Sequence, residues 1–158
     1  MDIVDKQTRS RMMAAVKSKN TALEVEIRHR LFQHGYRYRL HKKDLPGKPD
    51  ITFPKYRTVV FVNGCFWHMH NCSFGHLPKT RTAWWKQKLT NNRRRDLDVL
   101  LKLRNMAWRI IVVWECSLRS SKKDKNILLD SIVQRIERHL HTGKKETIIS
   151  GPIQTGAA

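Results

Sequence analysis

The stretch TVVFVNGCFWHMHNC, residues 58–72, decides the fold of this chain. It opens with β-branched and aromatic residues, a pattern typical of a buried strand. It then packs two thiols, two imidazoles and two large aromatic rings into the ten residues from Asn63 to Cys72. A cluster of this kind is hard to explain as hydrophobic core. The stretch therefore predicts that chemically active side chains gather where a strand ends.

The thiols and one imidazole of this stretch suggest a structural zinc site. Zinc takes about four ligands in a tetrahedron, and Cys65, His70 and Cys72 offer three of them. The remaining cysteine, Cys116, follows the apolar run 108–114 and could bring a fourth ligand from a second strand end. The alternative is three unrelated buried thiols and a satisfied histidine. A disulfide-bonded secreted protein is not expected, because the cysteine count is odd and no apolar signal segment opens the chain.

Length and charge narrow the class of protein. The 158 residues, 40% of them hydrophobic, predict one soluble domain over 1–141, with a basic N-terminal arm over about 1–19 and a loose C-terminal tail over 142–158. No run approaches the roughly 20 apolar residues of a membrane span. A formal net charge of +19 favours a polyanionic partner, with nucleic acid ahead of an anionic membrane.

The periodicity of the chain predicts an α/β fold. Residues 8–18 form either a plain amphipathic helix or a DNA-contacting arm. The capping-box form of Thr21-Ala22-Leu23-Glu24 predicts a helix start. The further predicted elements are, in order, the end of that helix near 34, a strand at 36–40, a hairpin of 51–53 with 58–62, a long helix at 82–104, a strand at 109–114 and an amphipathic helix around 127–136.

Two carboxylates stand in positions that call for a partner. Asp96 falls on the apolar stripe of the long helix, where an unpaired carboxylate is costly, so it should meet a basic side chain or a functional imidazole. Asp50 follows the turn 46–49, and hairpin geometry brings it close to the strand end at Val62 and Asn63. A carboxylate at a strand start is where a Mg²⁺-dependent nuclease holds its metal. Proline followed by aspartate is also common in ordinary turns.

Taken together, the motifs resemble one family. They are Leu45-Pro-Gly-Lys-Pro-Asp50, Val60-Phe-Val-Asn-Gly-Cys-Phe-Trp-His68, Thr80-Arg-Thr82, Trp85, Asn92, Arg95-Asp96 and Val113-Trp-Glu-Cys116. From about residue 5 to 118, in order and near-constant spacing, the chain resembles the very short patch repair (Vsr-type) DNA mismatch endonucleases. The resemblance implies a restriction-endonuclease-like core, a structural zinc, and Mg²⁺-dependent nicking of one strand 5′ to the thymine of a T:G mismatch left by deaminated 5-methylcytosine.

The resemblance also implies roles for individual residues. Asp50 would bind Mg²⁺ with the main-chain carbonyl of Val62, and His68 would act as general base. Glu24 and Asp96 would support them, with Asp96 as the partner that orients His68. For Glu24 the capping box remains a competing explanation.

The resemblance also implies that three aromatic residues contact DNA. Phe66, Trp67 and Trp85 would form a wedge that intercalates at the mismatch, where stacking is already weakened. Covering the zinc knuckle is the competing explanation for Phe66. Met13 and Lys88 would contact the mismatch from the arm and the long helix.

The chain departs from the family at Asn63, where histidine is frequent, and an amide cannot shuttle a proton at neutral pH. A non-catalytic, zinc-stabilised DNA-binding module therefore stays open beside the nicking enzyme, and a dimeric double-strand restriction enzyme is a third possibility. The expected enzyme is a cytoplasmic bacterial monomer that associates with the nucleoid when bound to DNA. Double-stranded DNA with a T:G mismatch is its expected partner, together with mismatch-repair proteins.

Overall fold

A computed structural model of the chain describes residues 5–15, 19–119 and 124–152. Within them, the helices are α1 (Lys6–Ala14), α2 (Ala22–Gln33), α3 (Thr82–Asn105), α4 (Cys116–Arg119) and α5 (Lys125–Leu140). The strands are β1 (Arg39–Leu40), β2 (Ile51–Phe53), β3 (Thr58–Asn63), β4 (Arg109–Trp114) and β5 (Glu146–Ile149), and a single 3₁₀ turn (Pro54–Tyr56) joins β2 to β3. The predicted α/β class is confirmed.

The five described strands form one mixed sheet in the order β1-β2-β3-β4-β5. β1, β2 and β3 pair antiparallel, whereas β3, β4 and β5 run parallel. The crossovers between parallel strands are made by α3 and α5, as parallel pairing requires. The carboxyl ends of β3 and β4 therefore lie side by side at one edge of the sheet, where the Cys/His stretch begins.

Helices cover both faces of the sheet. On one face, α2 and α5 pack against the strands through a core that includes Ile27, Ile111 and Ile136. On the other face, α3 packs through Leu103 against Ile110 and neighbouring strand residues. Because both faces are covered, β4 is a continuous apolar run whose alternate residues enter opposite cores.

Helix α2 begins as its sequence predicts. Thr21 is the N-cap, and its hydroxyl oxygen accepts a hydrogen bond from the Glu24 N–H at 3.3 Å. The Glu24 carboxylate returns to the same turn, accepting from the Thr21 hydroxyl at 3.2 Å and from the Asn20 N–H at 2.9 Å. The predicted N-cap is thus formed, although the carboxylate accepts from the N–H of Asn20 and not from that of Thr21, as a standard capping box would require. These bonds hold the Glu24 carboxylate in place.

The chain departs from the sequence-based expectation at its ends and edges. The expected loose tail from residue 142 is wrong for residues 146–149, which form β5 and pair with β4. The strand predicted over 36–40 is reduced to Arg39–Leu40. Of the predicted arm, α1 occupies 6–14, while residues 1–4 and 16–18 lie outside the described residues, as do 153–158 of the tail. None of the described helices is both long and apolar enough to cross a membrane.

Candidate nuclease site and metal centre

Three thiols and one imidazole converge where β3 and β4 end. The ligand atoms of Cys65, His70, Cys72 and Cys116 all lie within 4.8 Å of one another. Nδ1 of His70 is 3.5 Å from Sγ of Cys116, and the nitrogen and sulfur ligands of one tetrahedral zinc are separated by about 3.5 Å. The predicted set is therefore brought together, and its chemistry suits a single tetrahedral metal ion.

Strand register explains why residues far apart in sequence meet in this cluster. Asn63 pairs with Trp114 across the parallel strands, so the cysteines that follow each by two residues emerge side by side. The Cys116 N–H donates to Sγ of Cys65 at 3.3 Å. Cys116 also begins α4, which fixes its position at the start of a helix.

The loop between Cys65 and Gly75 is shaped by its own backbone. The His70 N–H donates to the Cys65 carbonyl, and the Cys72 N–H donates to the His70 carbonyl, each at 2.9 Å. A Cβ at position 75 would fall 1.8 Å from the His70 carbonyl oxygen, so only glycine fits there. The His70 ring stacks on Trp114 with centroids 4.2 Å apart, which orients the imidazole toward the thiols.

Burial sets the charge state of these ligands. It raises the pKa of the Cys65 and Cys116 thiols and lowers the pKa of His70. Without a cation the neutral forms are favoured, whereas a bound metal ion stabilises thiolates and neutral imidazole. The chemistry of the cluster therefore suits a metal cation rather than an anion.

A second group of side chains lies beside the start of β2. Oδ2 of Asp50 accepts a hydrogen bond from the Val62 N–H at 2.7 Å. The N–H and C=O of one strand residue face the same edge, so the Val62 carbonyl faces the side on which Asp50 lies. Glu24 is only 3% exposed, and its carboxylate lies within 4.8 Å of the Asp50 carboxylate. Hairpin pairing therefore brings the predicted Mg²⁺ ligands to one place.

The electrostatics of Asp50 fit a cation-binding carboxylate. Its burial raises its pKa to about 6, the hydrogen bond from Val62 opposes that rise, and the charge of Glu24 adds to it. Two carboxylates this close disfavour each other's ionisation unless a cation lies between them. The group supplies the hard oxygen ligands that Mg²⁺ prefers.

The imidazole of His68 is paired with a carboxylate of α3. Nδ1 of His68 lies 2.6 Å from Oδ2 of Asp96. The Asp96 side chain is 33% exposed. Of the two partners predicted for it, a basic side chain or an imidazole, the structure provides the imidazole. One helical turn earlier, the Asn92 amide donates to the Trp67 carbonyl at 3.2 Å. Both polar residues of the stripe therefore hold the segment that contains His68.

The predicted wedge residues pack edge to face. Ring centroids of Phe66 and Trp67 are 5.1 Å apart, and those of Phe66 and Trp85 are 5.2 Å apart. Trp85 is buried, whereas Phe66 and Trp67 are partly exposed. The Lys88 ammonium lies 5.7 Å from the Trp67 ring centroid and 5.5 Å from that of Trp85. The Lys88 ammonium therefore lies beside an aromatic cluster of which Phe66 and Trp67 remain partly accessible to a ligand.

One open cleft connects most of the predicted site. Its lining includes predicted site residues from α1, α2, the β2–β3 hairpin, the Cys/His loop and α3. They are Met13, Glu24, Asp50, Val62, Asn63, Trp67, His68, Lys88 and Asp96. Phe66 and Trp85 are not among the lining residues, and both pack against Trp67, which is. Of the three predicted wedge residues, Trp67 therefore faces the cleft, and Phe66 and Trp85 lie behind it.

Sequence reasoning overlooked His41. Its ring nitrogens lie 3.8 Å from Oδ1 of Asp50 and 4.0 Å from Oε2 of Glu24. The register of β1 with β2 could have indicated it. Leu40 pairs with Ile51 in this antiparallel pair, so His41 lies opposite Asp50. A two-residue strand is too short for its pairing to be recognised from sequence.

Comparison with known proteins defines the class to which this site belongs. A family model described as DNA mismatch endonuclease Vsr matches residues 1–74. The DNA mismatch endonuclease Vsr of Escherichia coli (strain K12) is 38% identical over 136 residues, covering 86% of this chain and 85% of that protein.

Two further relatives are described as type II nicking enzymes. V.XorIIP of Xanthomonas oryzae pv. oryzae is 49% identical over 117 residues, covering 74% of this chain and 86% of that protein. V.NmeAIP of Neisseria meningitidis serogroup A is 45% identical over 119 residues, covering 75% and 85%.

An α/β domain with these relatives is a DNA endonuclease. The chain belongs to the Vsr family of DNA mismatch endonucleases. This membership decides between the enzyme and the non-catalytic binding module that composition and charge left open, in favour of the enzyme.

Proposed function

We propose that the protein is a Mg²⁺-dependent endonuclease that nicks one DNA strand 5′ to the thymine of a T:G mismatch and thereby starts very short patch repair. The observation that carries this proposal is the meeting, in one cleft, of the Asp50 and Glu24 carboxylates with the His68–Asp96 pair. DNA binding alone requires no such set of hard ligands and a base.

In this proposal Asp50 and the Val62 carbonyl hold the Mg²⁺, and Glu24 lies close enough to support it. Mg²⁺ bound there would offset the negative charge that builds on the scissile phosphate. Asp50 and Glu24 are kept at the cleft by backbone partners, the Val62 N–H for Asp50 and the Asn20 N–H for Glu24. Neither carboxylate has to reorganise when a substrate enters.

His68 would take the proton from the attacking water. Because its Nδ1 is engaged by Asp96, Nε2 is the nitrogen left to act as base. Asp96 is then a positioning residue that fixes the ring and its tautomer. Asn63 also lines the cleft, where its amide can hold a water or a phosphate oxygen by hydrogen bonds but cannot move a proton.

Mismatch selectivity would come from the aromatic cluster. Trp67 faces the cleft, and Phe66 and Trp85 support its ring. Inserting such rings costs unstacking energy, which is smaller at a wobble pair than at a matched step. Met13 and Lys88, from α1 and α3, line the same cleft, a placement that supports contacts with the mismatched bases.

The metal held by Cys65, His70, Cys72 and Cys116 would be a structural zinc. It would tie the loop that contains Phe66, Trp67 and His68 to the end of β4. The mixed sheet with helices on both faces supports a restriction-endonuclease-like fold. We further place the enzyme in the bacterial cytoplasm as a monomer that works with mismatch-repair proteins.

The test is strand-specific cleavage of labelled duplexes that carry a single T:G mismatch in several sequence contexts. Matched T:A and C:G duplexes serve as controls, each with Mg²⁺ and in Mg²⁺-free buffer that leaves the zinc bound. A Mg²⁺-dependent nick on the thymine strand of mismatched duplexes alone is expected, and Asp50→Ala should abolish it while mismatch binding persists. Tight mismatch binding without a nick in any context would overturn the proposal.

A further inference from the structure

The imidazole of His41 occupies a place that ordinary packing does not explain. It lies between the two carboxylates of the proposed Mg²⁺ site, and ligand atoms of Glu24, His41 and Asp50 fall within 4.8 Å of one another. Its side chain is 19% exposed. Among the described residues, its Nε2 is buried and has no hydrogen-bond partner, a state that costs free energy unless something binds the nitrogen.

The backbone holds His41 in this place. Its N–H donates to the Asp50 carbonyl oxygen at 3.5 Å, which extends the pairing of β1 with β2 by one residue. Its φ is +45°, in the left-handed region, which histidine occupies more often than most other non-glycine residues do. The hydrogen bond to Asp50 and this backbone conformation together direct the ring toward the carboxylates.

The distances around the ring suit shared coordination better than hydrogen bonding. Nδ1 lies 3.8 Å from Oδ1 of Asp50 and Nε2 lies 4.0 Å from Oε2 of Glu24, and both pairs are too far apart for hydrogen bonds. One nitrogen of the ring and one oxygen of each carboxylate also lie within 4.8 Å of one another. Ligand atoms of one cation with bonds of about 2.1 Å lie about 3 to 4.2 Å apart. Both carboxylates keep lone pairs for a cation, since each oxygen accepts at most one hydrogen bond from the residues described.

We infer that His41 is a nitrogen ligand of the divalent cation at this site, so that Glu24, His41 and Asp50 form a mixed carboxylate–imidazole set. Mg²⁺ prefers oxygen ligands, whereas first-row ions such as Mn²⁺ accept a mixed set. The site therefore binds Mn²⁺ more tightly than Mg²⁺. This inference rests on the proposed function for the use of the site, but the metal binding stands by itself.

The competing explanation is that His41 is an imidazolium ion that neutralises the two carboxylates. In that case it would occupy the place of a cation, and removing it would strengthen metal binding or leave it unchanged. The two explanations thus predict opposite effects of one substitution.

The experiment uses zinc-loaded, full-length protein and Mn²⁺ alone as the probe. Mn²⁺ affinity is measured by calorimetry, and the nitrogen ligand is detected by pulsed electron paramagnetic resonance of the bound Mn²⁺. The test variant is His41→Asn, because asparagine tolerates the left-handed backbone. His29→Gln is the control, because His29 is exposed on α2, and Asp50→Asn defines the signal when the site is lost.

The expected result is an imidazole nitrogen coupling in the wild type and in His29→Gln that disappears in His41→Asn. Mn²⁺ binding by His41→Asn should weaken by about tenfold or more, with a smaller change for Mg²⁺. Unchanged zinc content and circular dichroism would exclude misfolding. Absence of the coupling in wild-type protein, or undiminished Mn²⁺ affinity in His41→Asn, would overturn the inference.

The two proposals can fail separately. If the wild type nicks T:G duplexes with Mg²⁺ but shows no nitrogen coupling, the inference about His41 is wrong and the proposed function stands. If the coupling is present but no duplex is nicked, the metal site stands and the proposed function is wrong.

Discussion

Nδ1 of His68 lies 2.6 Å from Oδ2 of Asp96, and this contact ties the Cys/His loop to the middle of α3. The partners are 28 residues apart, and one belongs to a loop without regular structure. A carboxylate on one nitrogen fixes which side of the ring carries the proton and leaves the opposite nitrogen free. In the proposed mechanism the pair supplies an oriented base, provided that the helix and the loop keep their relative position.

Removing the Asp96 charge should slow cleavage without weakening DNA binding. In Asp96→Asn the amide still reaches His68 but no longer selects the tautomer, so we expect single-turnover nicking to fall by about 10²–10⁴-fold. Asp98→Asn is the matched control, because Asp98 is exposed on the same helix and pairs only with Lys102 among the described residues. An equal loss in both variants would contradict the role of Asp96.

Replacing Phe66 should weaken mismatch recognition. Phe66→Leu removes the ring that supports Trp67 and Trp85, so Trp67 should lose its stacking position at the cleft. Loss of one aromatic that stacks on a base costs about 1–3 kcal/mol. We expect affinity for T:G duplexes to fall by roughly 5- to 150-fold in fluorescence anisotropy, with matched duplexes affected less. Phe32→Leu, at an exposed position of α2, is the control, and equal losses on matched and mismatched DNA would argue against a wedge.

Disrupting the metal cluster should destabilise the whole site. We expect one zinc ion per chain by elemental analysis, and its loss with a drop in melting temperature in His70→Gln. His76→Gln is the matched control, because His76 is an exposed imidazole of the same loop outside the cluster. Zinc content and melting temperature that are the same in both variants would show that His70 is not a ligand.

The buried imidazole of His139 should make stability depend on pH. It is 1% exposed, and its Nδ1 is hydrogen-bonded to the hydroxyl of Thr147, 2.8 Å away. Burial, followed by the charges of Arg109 and Lys144, lowers its pKa to about 4. Between that value and about 6.5, the unfolded state binds the proton and the folded state does not, so stability rises with pH.

The measurement is urea unfolding at several pH values from 5 to 7.5. The free energy of unfolding of the wild type should fall by about 1.4 kcal/mol per pH unit as the pH drops below 6.5, relative to His139→Gln. His29→Gln should keep the wild-type slope. Parallel curves for the wild type and His139→Gln would mean that His139 is protonated in the folded protein.

Several elements were predictable because their causes are local. The N-cap at Thr21 places the start of α2, and the apolar run from Arg109 to Trp114 becomes β4. The hairpin of β2 and β3 and the long helix α3 also lie close to their predicted bounds. The members of the Cys/His cluster could be predicted because cysteine and histidine are the residue types that bind zinc, and the chain has only three cysteines.

Other features depend on contacts between distant residues and were beyond the sequence. β5 carries a weak pattern of its own and is a strand because β4 offers it a parallel edge. His41 approaches Glu24 and Asp50 only after α2 and the first hairpin have packed together.

By itself, the sequence determined which chemical groups the protein possesses and the local elements that present them, because capping, strand propensity and ligand type act over a few residues. Only the tertiary structure decided which of those groups meet. The parallel register of β3 and β4 brings Cys116 to Cys65, and the packing of α3 brings Asp96 to His68. Such pairings are set by the burial of surfaces that are far apart along the chain, and no local pattern records them.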